Sequence, residues 1–367
     1  MTESSRRALI SKGQCSARDT RKPFKNPLEI TRADGIAGQK MRRRSRLCAI
    51  SALALTCGLF ASAPASRAAE YAFTSYPLGV LAFGAGITPP PGVYVTDAIF
   101  VYSGVVGGNF DFGGRNFNAG VKADIFLDST NILLVPQGKL FDGYFGASVT
   151  VPAGYVKYDA SASGARGTIT SETSGGGWGD MNMQFQLGWD GESFSHTIYL
   201  LGVIPTGRYE TGFSPIIGLN RPSLDLAWAF TYFDKNSKLQ INGSVGFMAS
   251  IENFATQYQT GNEFHAEWAI GYKFDNGLLL GVVGYDYRQV TGDSGPGALT
   301  PFESLGDAIG PGLSYSTLIG ELPVVINVRD YEQYNWKNFF HGNAAIASFT
   351  AVFPAAQPME SAKGMKD

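Results

Sequence analysis

The chain has 367 residues with 29 Lys and Arg against 31 Asp and Glu, but the balance is uneven, because residues 1–69 hold 14 of the basic residues and only 4 of the acidic ones. The remainder carries 15 basic against 27 acidic residues, a net charge of −12 that excludes a nucleic-acid binder, which needs a basic face. All three cysteines, Cys15, Cys48 and Cys57, fall in the same stretch, so residues 70–367 must be stabilised by strand pairing and burial without disulfides.

Residues 1–40 are polar and basic with no core pattern, and they read as a mis-set start ahead of an initiator at Met41. From there "MRRRSR" and "LCAISALALTCGLFASAPAS" supply a positive region, a short apolar run and small residues, the layout of a cleaved secretory signal peptide over 41–68. The apolar run is too short and Ala-rich for a stable transmembrane helix. "ALTC" departs from a lipoprotein box at Ala54 and Thr56, which argues against lipidation at Cys57.

Residues 69–92 form a leader that ends in Pro89, Pro90 and Pro91. Proline fixes φ and lacks the N–H donor, so the triplet cannot join a β-ladder and stops the first strand from growing backwards. The apolar "YPLGVLAFGAGI" ahead of it is expected either to fold into the lumen as a plug or to remain a loosely held periplasmic leader.

Beyond the prolines, period-2 alternation recurs, the signature of strands with one apolar and one polar face. "GVKADIFLD" sets Val121, Ala123, Ile125 and Leu127 against Lys122, Asp124 and Asp128. "DMNMQFQLGW" sets Met181, Met183, Phe185, Leu187 and Trp189 against Asp180, Asn182, Gln184 and Gln186. The same alternation runs through "SLDLAWAFTY", "KLQINGSVGFMAS" and "EFHAEWAIGYKF". One such strand suits a soluble sandwich, but these segments reach ten residues or more, the length of a tilted membrane crossing. Large aromatics, Trp189, Tyr232, Trp268, Tyr272 and Phe274, sit on the apolar face near segment ends, where an interfacial girdle needs them.

Twelve strands are expected, at about 93–104, 117–135, 144–157, 179–190, 193–205, 222–233, 238–250, 262–275, 277–290, 306–317, 322–331 and 341–353. Short links such as "DKNSK" and "DNG" alternate with long ones such as "ASASGARGTITSETSGGG", "TGRYETGFSPIIGLNR" and "TGDSGPGALTPFESLGD". That asymmetry predicts an all-β, antiparallel up-and-down transmembrane barrel over 93–353, with short periplasmic turns and long outer loops. In lipid no strand edge can stay unpaired, so the sheet must close. The segments 306–317 and 322–331 are the weakest, leaving 10 or 14 strands as alternatives. The last strand ends in Phe349, Ala351 and Phe353, similar to the aromatic signal read by the barrel assembly machinery, although a disordered tail, 354–367, continues past it.

If the lumen is a water-filled conduit, its lining is the polar phase of each strand: Asp97, Lys122, Asp124, Asp180, Gln184, Asp225, Asn242, Glu263, Glu267, Lys273, Asp286, Arg288 and, less firmly, Arg329. Arg208 and Tyr209 of "PTGRY" stand at the outer mouth, either to greet an anionic solute or, with Arg208 paired to a carboxylate, as part of a turn. No catalytic residues are assigned. Ser195 and His196 are sequence neighbours and point to opposite faces of a strand, so they cannot pair directly. Glu263, His265 and Glu267 share a face, but i, i+2 and i+4 side chains splay over ~13 Å, too far for one metal ion. No cofactor is expected, and the glycine-rich stretches lack the strand-to-helix context of nucleotide loops.

"YPLGVLAFGAGITPPPGVYV" (76–95), "GWGDMNMQFQLGW" (177–189), "VIPTGRYE" (203–210), "YDYRQVTGD" (285–293) and "IGPGLSY" (309–315) together resemble the outer-membrane barrel family named for the meta-cleavage pathway of phenol degradation. The resemblance implies an exported barrel in the outer membrane of a Gram-negative bacterium, a transporter or channel for small aromatic or otherwise apolar solutes linked to aromatic catabolism. It carries over no binding residues. The second reading is a non-conducting structural or adhesion barrel that acts through its long outer loops.

Overall fold

A computed structural model describes residues 70–112, 115–164, 167–211, 215, 217–298 and 301–355. The expected start at Met41, the signal peptide over 41–68 and the tail beyond residue 355 lie outside the described residues.

Thirteen strand segments come after a 3-10 turn at Glu70–Ala72: β1 (Gly92–Phe112), β2 (Arg115–Val135), β3 (Tyr144–Gly164), β4 (Gly167–Trp178), β5 (Met181–Asp190), β6 (Phe194–Ile204), β7 (Ser223–Asp234), β8 (Leu239–Ser250), β9 (Glu263–Lys273), β10 (Leu278–Gln289), β11 (Leu305–Ile319), β12 (Leu322–Lys337) and β13 (His341–Pro354). Each pairs antiparallel with its sequence neighbour, except that β3 pairs with β5 through Tyr144–Thr150 and with β4 through Ala153–Gly164. Segments β4 and β5 are therefore one wall strand broken at Gly179 and Asp180. The seam between β1 and β13, from Gly92 opposite Pro354 to Val105 opposite His341, closes a twelve-stranded antiparallel barrel.

The end carrying the connections 205–222, 251–262 and 290–304 is the outer rim; the opposite rim has the links 136–143, 191–193, 235–238, 274–277 and 320–321. Strand bounds depart from expectation at the outer rim: β1 continues past 104 to Phe112 and β12 past 331 to Lys337, and one stretch expected as a loop is paired. "ASASGARGTITSETSGGG" has the composition of a loop but is the end of β3 together with most of β4, a hairpin rising past the rim. Its Ser and Thr residues suit a solvated ladder as well as they suit a loop, because neither face there needs an apolar phase.

Alternation orients the wall. On β7, Leu224, Leu226, Trp228 and Tyr232 are exposed while Ser223, Asp225, Ala227, Ala229 and Thr231 are buried. Exposed Val245, Phe247, Ile270, Tyr272, Leu280 and Val282 continue that apolar outer belt across β8, β9 and β10. Large apolar side chains on the outward phase are what a lipid-facing surface requires.

Residues 70–91 run inside the barrel, and they run inward from the outer rim. Glu70 lies among outer-loop residues, Thr74 and Tyr76 reach the outer half of β9, and Thr88 reaches β6 close to its periplasmic start. At the periplasmic rim the Tyr94 hydroxyl donates to the Pro90 carbonyl at 2.7 Å, tying the proline segment to the first turn of β1.

Candidate functional site

The leader needs partners for its backbone, since an unpaired buried N–H or C=O costs on the order of 1–3 kcal/mol. The inward phase of β6 to β9 and β12 supplies them. Glu267 accepts from the Tyr76 hydroxyl at 2.7 Å and from the Leu81 N–H at 2.9 Å. Asn242 accepts from the Gly84 N–H at 2.9 Å and Thr231 from the Gly86 N–H at 3.0 Å. Tyr199 donates to the Ala85 carbonyl at 2.6 Å, and Thr197 to that of Gly86 at 2.9 Å. On β12, Arg329 donates to the carbonyls of Gly79 and Val80 at 2.9 and 2.7 Å, joined by the Tyr331 hydroxyl on Gly79.

Beneath Tyr76 lies a second polar layer. His265 and Asp225 meet with Nε2 to Oδ1 at 2.9 Å, and the Tyr76 ring stacks on the imidazole at 3.5 Å between centroids. Glu263 accepts from Thr74 at 2.8 Å and from Tyr287 at 2.7 Å. Asp225, His265, Glu263 and Glu267 are all essentially buried, so this side of the lumen is filled by hydrogen-bonded side chains and leader.

The opposite side is apolar. Phe100 and Tyr102 of β1, Val121, Ala123, Ile125 and Leu127 of β2, and Val156 and Tyr158 of β3 face inward on the outer half of the wall. Phe73 of the leader meets Tyr102 edge-on at 6.3 Å and stacks on Phe340 at 4.6 Å. Phe100, Val121, Ile125 and Leu127 remain only half-buried. Towards the periplasm the same inward phase becomes uncharged and polar: Thr96, Ser129, Asn131, Ser148 and Thr150, with Thr96 bonded to Thr350 and Asn131 to Thr150, both at 2.8 Å.

At the outer mouth Arg221, 1% exposed, donates to Ser75 Oγ at 2.7 Å, to Thr260 Oγ1 at 2.9 Å and to the Phe73 carbonyl. The Glu70 carboxylate accepts from Thr256 at 2.7 Å, from Asn253 at 2.8 Å and from the Tyr209 hydroxyl at 3.4 Å. Burial raises the Glu70 pKa above the ordinary value of 4.5, against the pull of those hydrogen bonds and of the Arg221 charge. Asp180, at the break between β4 and β5, accepts three backbone N–H groups, from Gly207, Leu219 and Asn220 at 3.0, 2.7 and 3.1 Å, and so folds the 205–222 connection onto the rim.

The polar residues expected in the lumen thus divide. Gln184, Asp225, Asn242, Glu263, Glu267 and Arg329 are on the inward phase, Asp180 is spent on loop backbone, and Lys273 ends the inward phase of β9 at the exposed periplasmic rim, 5.3 Å from the Phe233 ring. Asp97, Lys122, Asp124, Asp286 and Arg288 face outward instead. Lys122 pairs with Asp124 at 2.7 Å, and Asp124 also accepts from Ser103. Arg288 pairs with Asp307, which Asn335 also contacts. The reason is the same on both strands: the inward phases, Val121 to Leu127 on β2 and Val283, Tyr285 and Tyr287 on β10, are themselves apolar or aromatic, which leaves the charged residues to the outer surface. Arg208 pairs with Glu210 at 3.0 Å and with the Gly176 carbonyl at 3.2 Å. Ser195 faces inward, whereas His196 faces outward and stacks on Trp189 at 5.0 Å.

Sequence reading did not find Glu70, Arg221, Asn253, Thr256 or Thr260. They lie in non-periodic segments, and no spacing links a leader residue to a loop that comes after it by more than a hundred positions.

Residues 107–349 match the model of a family described as "Putative MetA-pathway of phenol degradation". Among solved structures, the COG4313 outer membrane channel from Pseudomonas putida F1 is similar at 14% identity with a TM-score of 0.55, covering 74% of this chain and 98% of that one. Others are a Pseudomonas aeruginosa FadL homologue (8% identity, TM-score 0.35, 72% and 91% covered) and the translocator domain of the autotransporter NalP from Neisseria meningitidis (11%, 0.34, 72% and 90%). No curated protein matches the chain.

Proposed function

Since the chain belongs to the MetA-pathway phenol-degradation family, we propose that it is an outer-membrane channel that admits small, uncharged aromatic or otherwise apolar solutes. The observation that carries this reading is the half-buried apolar lining on the outer half of β1 to β3, from Phe100 to Leu127, which continues into an uncharged hydroxyl and amide lining towards the periplasm. An apolar body is favoured by the first stretch at about 25 cal/mol per Å² removed from water, and a hydroxyl can trade partners along the second. A carboxylate or ammonium group would lose its hydration in the first stretch without gaining a counter-charge, at a cost of several kcal/mol. In this reading the barrel lies in the outer membrane of a Gram-negative bacterium, its export needs a cleaved signal peptide, and the barrel assembly machinery engages the strand ending at Phe353.

The test is uptake of a panel of phenols, alkylbenzenes and benzoates by cells with and without the protein. Neutral compounds are expected to enter faster with it and benzoates at equal rates. Equal uptake of all of them in both strains would reject the reading, as would unchanged uptake by an Ile125→Asp variant that is shown to assemble.

A further inference from the structure

Two features of the outer mouth belong together. The loop residues that meet there are joined through Asn253: it receives Asn220 Nδ2 at 2.9 Å, and its own Nδ2 donates to the Tyr209 hydroxyl at 2.9 Å and to Glu70 Oε2 at 2.8 Å. The leader contributes the acceptor at the middle of this cluster, because Glu70 takes hydrogen bonds from Asn253, Thr256 and Tyr209, which come from two different outer connections. Arg221 binds the backbone behind it, reaching Ser75, the Phe73 carbonyl and Thr260.

The leader is anchored differently at its two ends. At the periplasmic end it is covalently continuous with β1 through Pro89–Pro91, so it cannot leave. At the outer end its contacts are non-covalent: Glu70 meets connections between strands, Phe73 stacks on Phe340, and Thr74 bonds to Glu263 of β9. Movement that widens the lumen while the leader stays attached at Pro89–Pro91 requires the outer end to release its contacts, those of Glu70 among them.

We propose that Glu70 is a latch: its carboxylate holds the 205–222 and 251–262 connections closed over the mouth, and solute entry requires the leader tip and these loops to separate as one event. The latch rests on the transport reading and adds where the channel opens. It assigns Asn253, Thr256 and Arg221 to gating, with no contact to solute required of them. A closed mouth and a docked leader are then one state, since removing Glu70 takes away the 2.7 Å acceptor of the Thr256 hydroxyl and leaves the buried Asn253 Nδ2 with its loop partners alone.

The absence of cysteine from residues 69–367 makes a direct test available. The mature protein carrying Glu70→Cys and Thr256→Cys is reconstituted in planar bilayers, and conductance of potassium chloride is recorded under oxidising and then reducing conditions, with both single-cysteine variants as controls. Bond formation is followed by gel mobility. Oxidation is expected to reduce the open time of the double variant at least tenfold and reduction to restore it, with the single variants insensitive. Glu70→Ala, which cannot latch, is expected to raise open time at least fivefold over the unaltered protein. Cross-linked protein that conducts like the reduced form overturns the latch, as does a pair that fails to cross-link or a Glu70→Ala variant with unaltered gating. A barrel that is silent in every form, including one lacking residues 70–88, overturns the transport reading and the latch with it.

Discussion

The ring of Tyr76 lies face to face on the imidazole of His265, 3.5 Å between centroids, while its hydroxyl donates to Glu267 at 2.7 Å. One leader residue thus covers two buried ionisable groups of β9. Tyr76→Phe keeps the stack and deprives the carboxylate of a donor, a loss of about 1.5–3 kcal/mol for a hydrogen bond to a charged group. That is roughly a ten- to hundredfold shift towards the undocked leader. Tyr76→Ala loses the stack as well and should shift further. Maleimide labelling of a cysteine placed at Ala85, which is 4% exposed, reports the shift, and equal protection in all three backgrounds would contradict it.

Steric exclusion should undock the leader without touching a polar group. Gly86 passes so close to the backbone at Phe230 and Thr231 that a Cβ there would overlap it. Gly86→Val is therefore expected to push 84–88 off the wall and break the bonds to Thr231 and Thr197, raising salt flux through liposomes severalfold. The barrel itself should keep its heat-modifiable migration, because no strand-to-strand pairing is altered. Unaltered flux would mean that the segment can sit elsewhere in the lumen.

How much of this was legible depends on what alternation can report. Period 2 says which residues share a face, and on β7 to β9 it sorted Leu224, Trp228, Phe264 and Ile270 from Asp225, Asn242, Glu263 and Glu267 as the structure does. It does not say which face is inside. Assigning the polar phase to the lumen works where that phase bonds the leader, and it inverts β2, whose inward Val121, Ala123, Ile125 and Leu127 face apolar contents while Lys122 and Asp124 pair outside. The twelve-stranded closure was readable from segment and loop lengths. The strand start at 179 was readable too, but not that the wall continues above it as β4, because "GTITSETSGGGW" has the Gly, Ser and Thr composition of a loop.

Asp180 supports the 205–222 connection through both carboxylate oxygens, Oδ1 for Gly207 and Oδ2 for Leu219 and Asn220. Asp180→Ala removes all three bonds and Asp180→Asn keeps an acceptor at only one position. Limited proteolysis within 205–222 is expected to rise by about tenfold or more in the first and by less in the second, in keeping with about 1–2 kcal/mol or more per charged acceptor lost. Cleavage at the same rate in both variants would show that a single bond holds the loop.

Gating should depend on pH through Glu70. Burial raises its pKa above 4.5 while it is docked, and an undocked, hydrated carboxyl returns to that value. The docked form therefore binds the proton more tightly. Its contribution to docking is complete below pH 4.5 and is lost as pH rises through the docked pKa. Open time should consequently fall as the solution is acidified from neutrality towards pH 4.5. Buried Glu263 and Glu267 also contact the leader, so the quantity to compare is the difference between the unaltered protein and Glu70→Gln. Parallel pH profiles for the two would remove Glu70 from the response.

The β1–β13 seam joins the first strand of the wall to the last, and the leader that precedes β1 ends up enclosed by it. A ring joined in this way encircles whatever already lies within. The least demanding order of events during biogenesis is for residues 70–91 to be laid along β6 to β9 while the wall is still an open, curved sheet, with the seam closing afterwards. In that order the leader doubles as a mould for the unfinished barrel, and a variant that cannot dock would first show itself as slow insertion into the membrane.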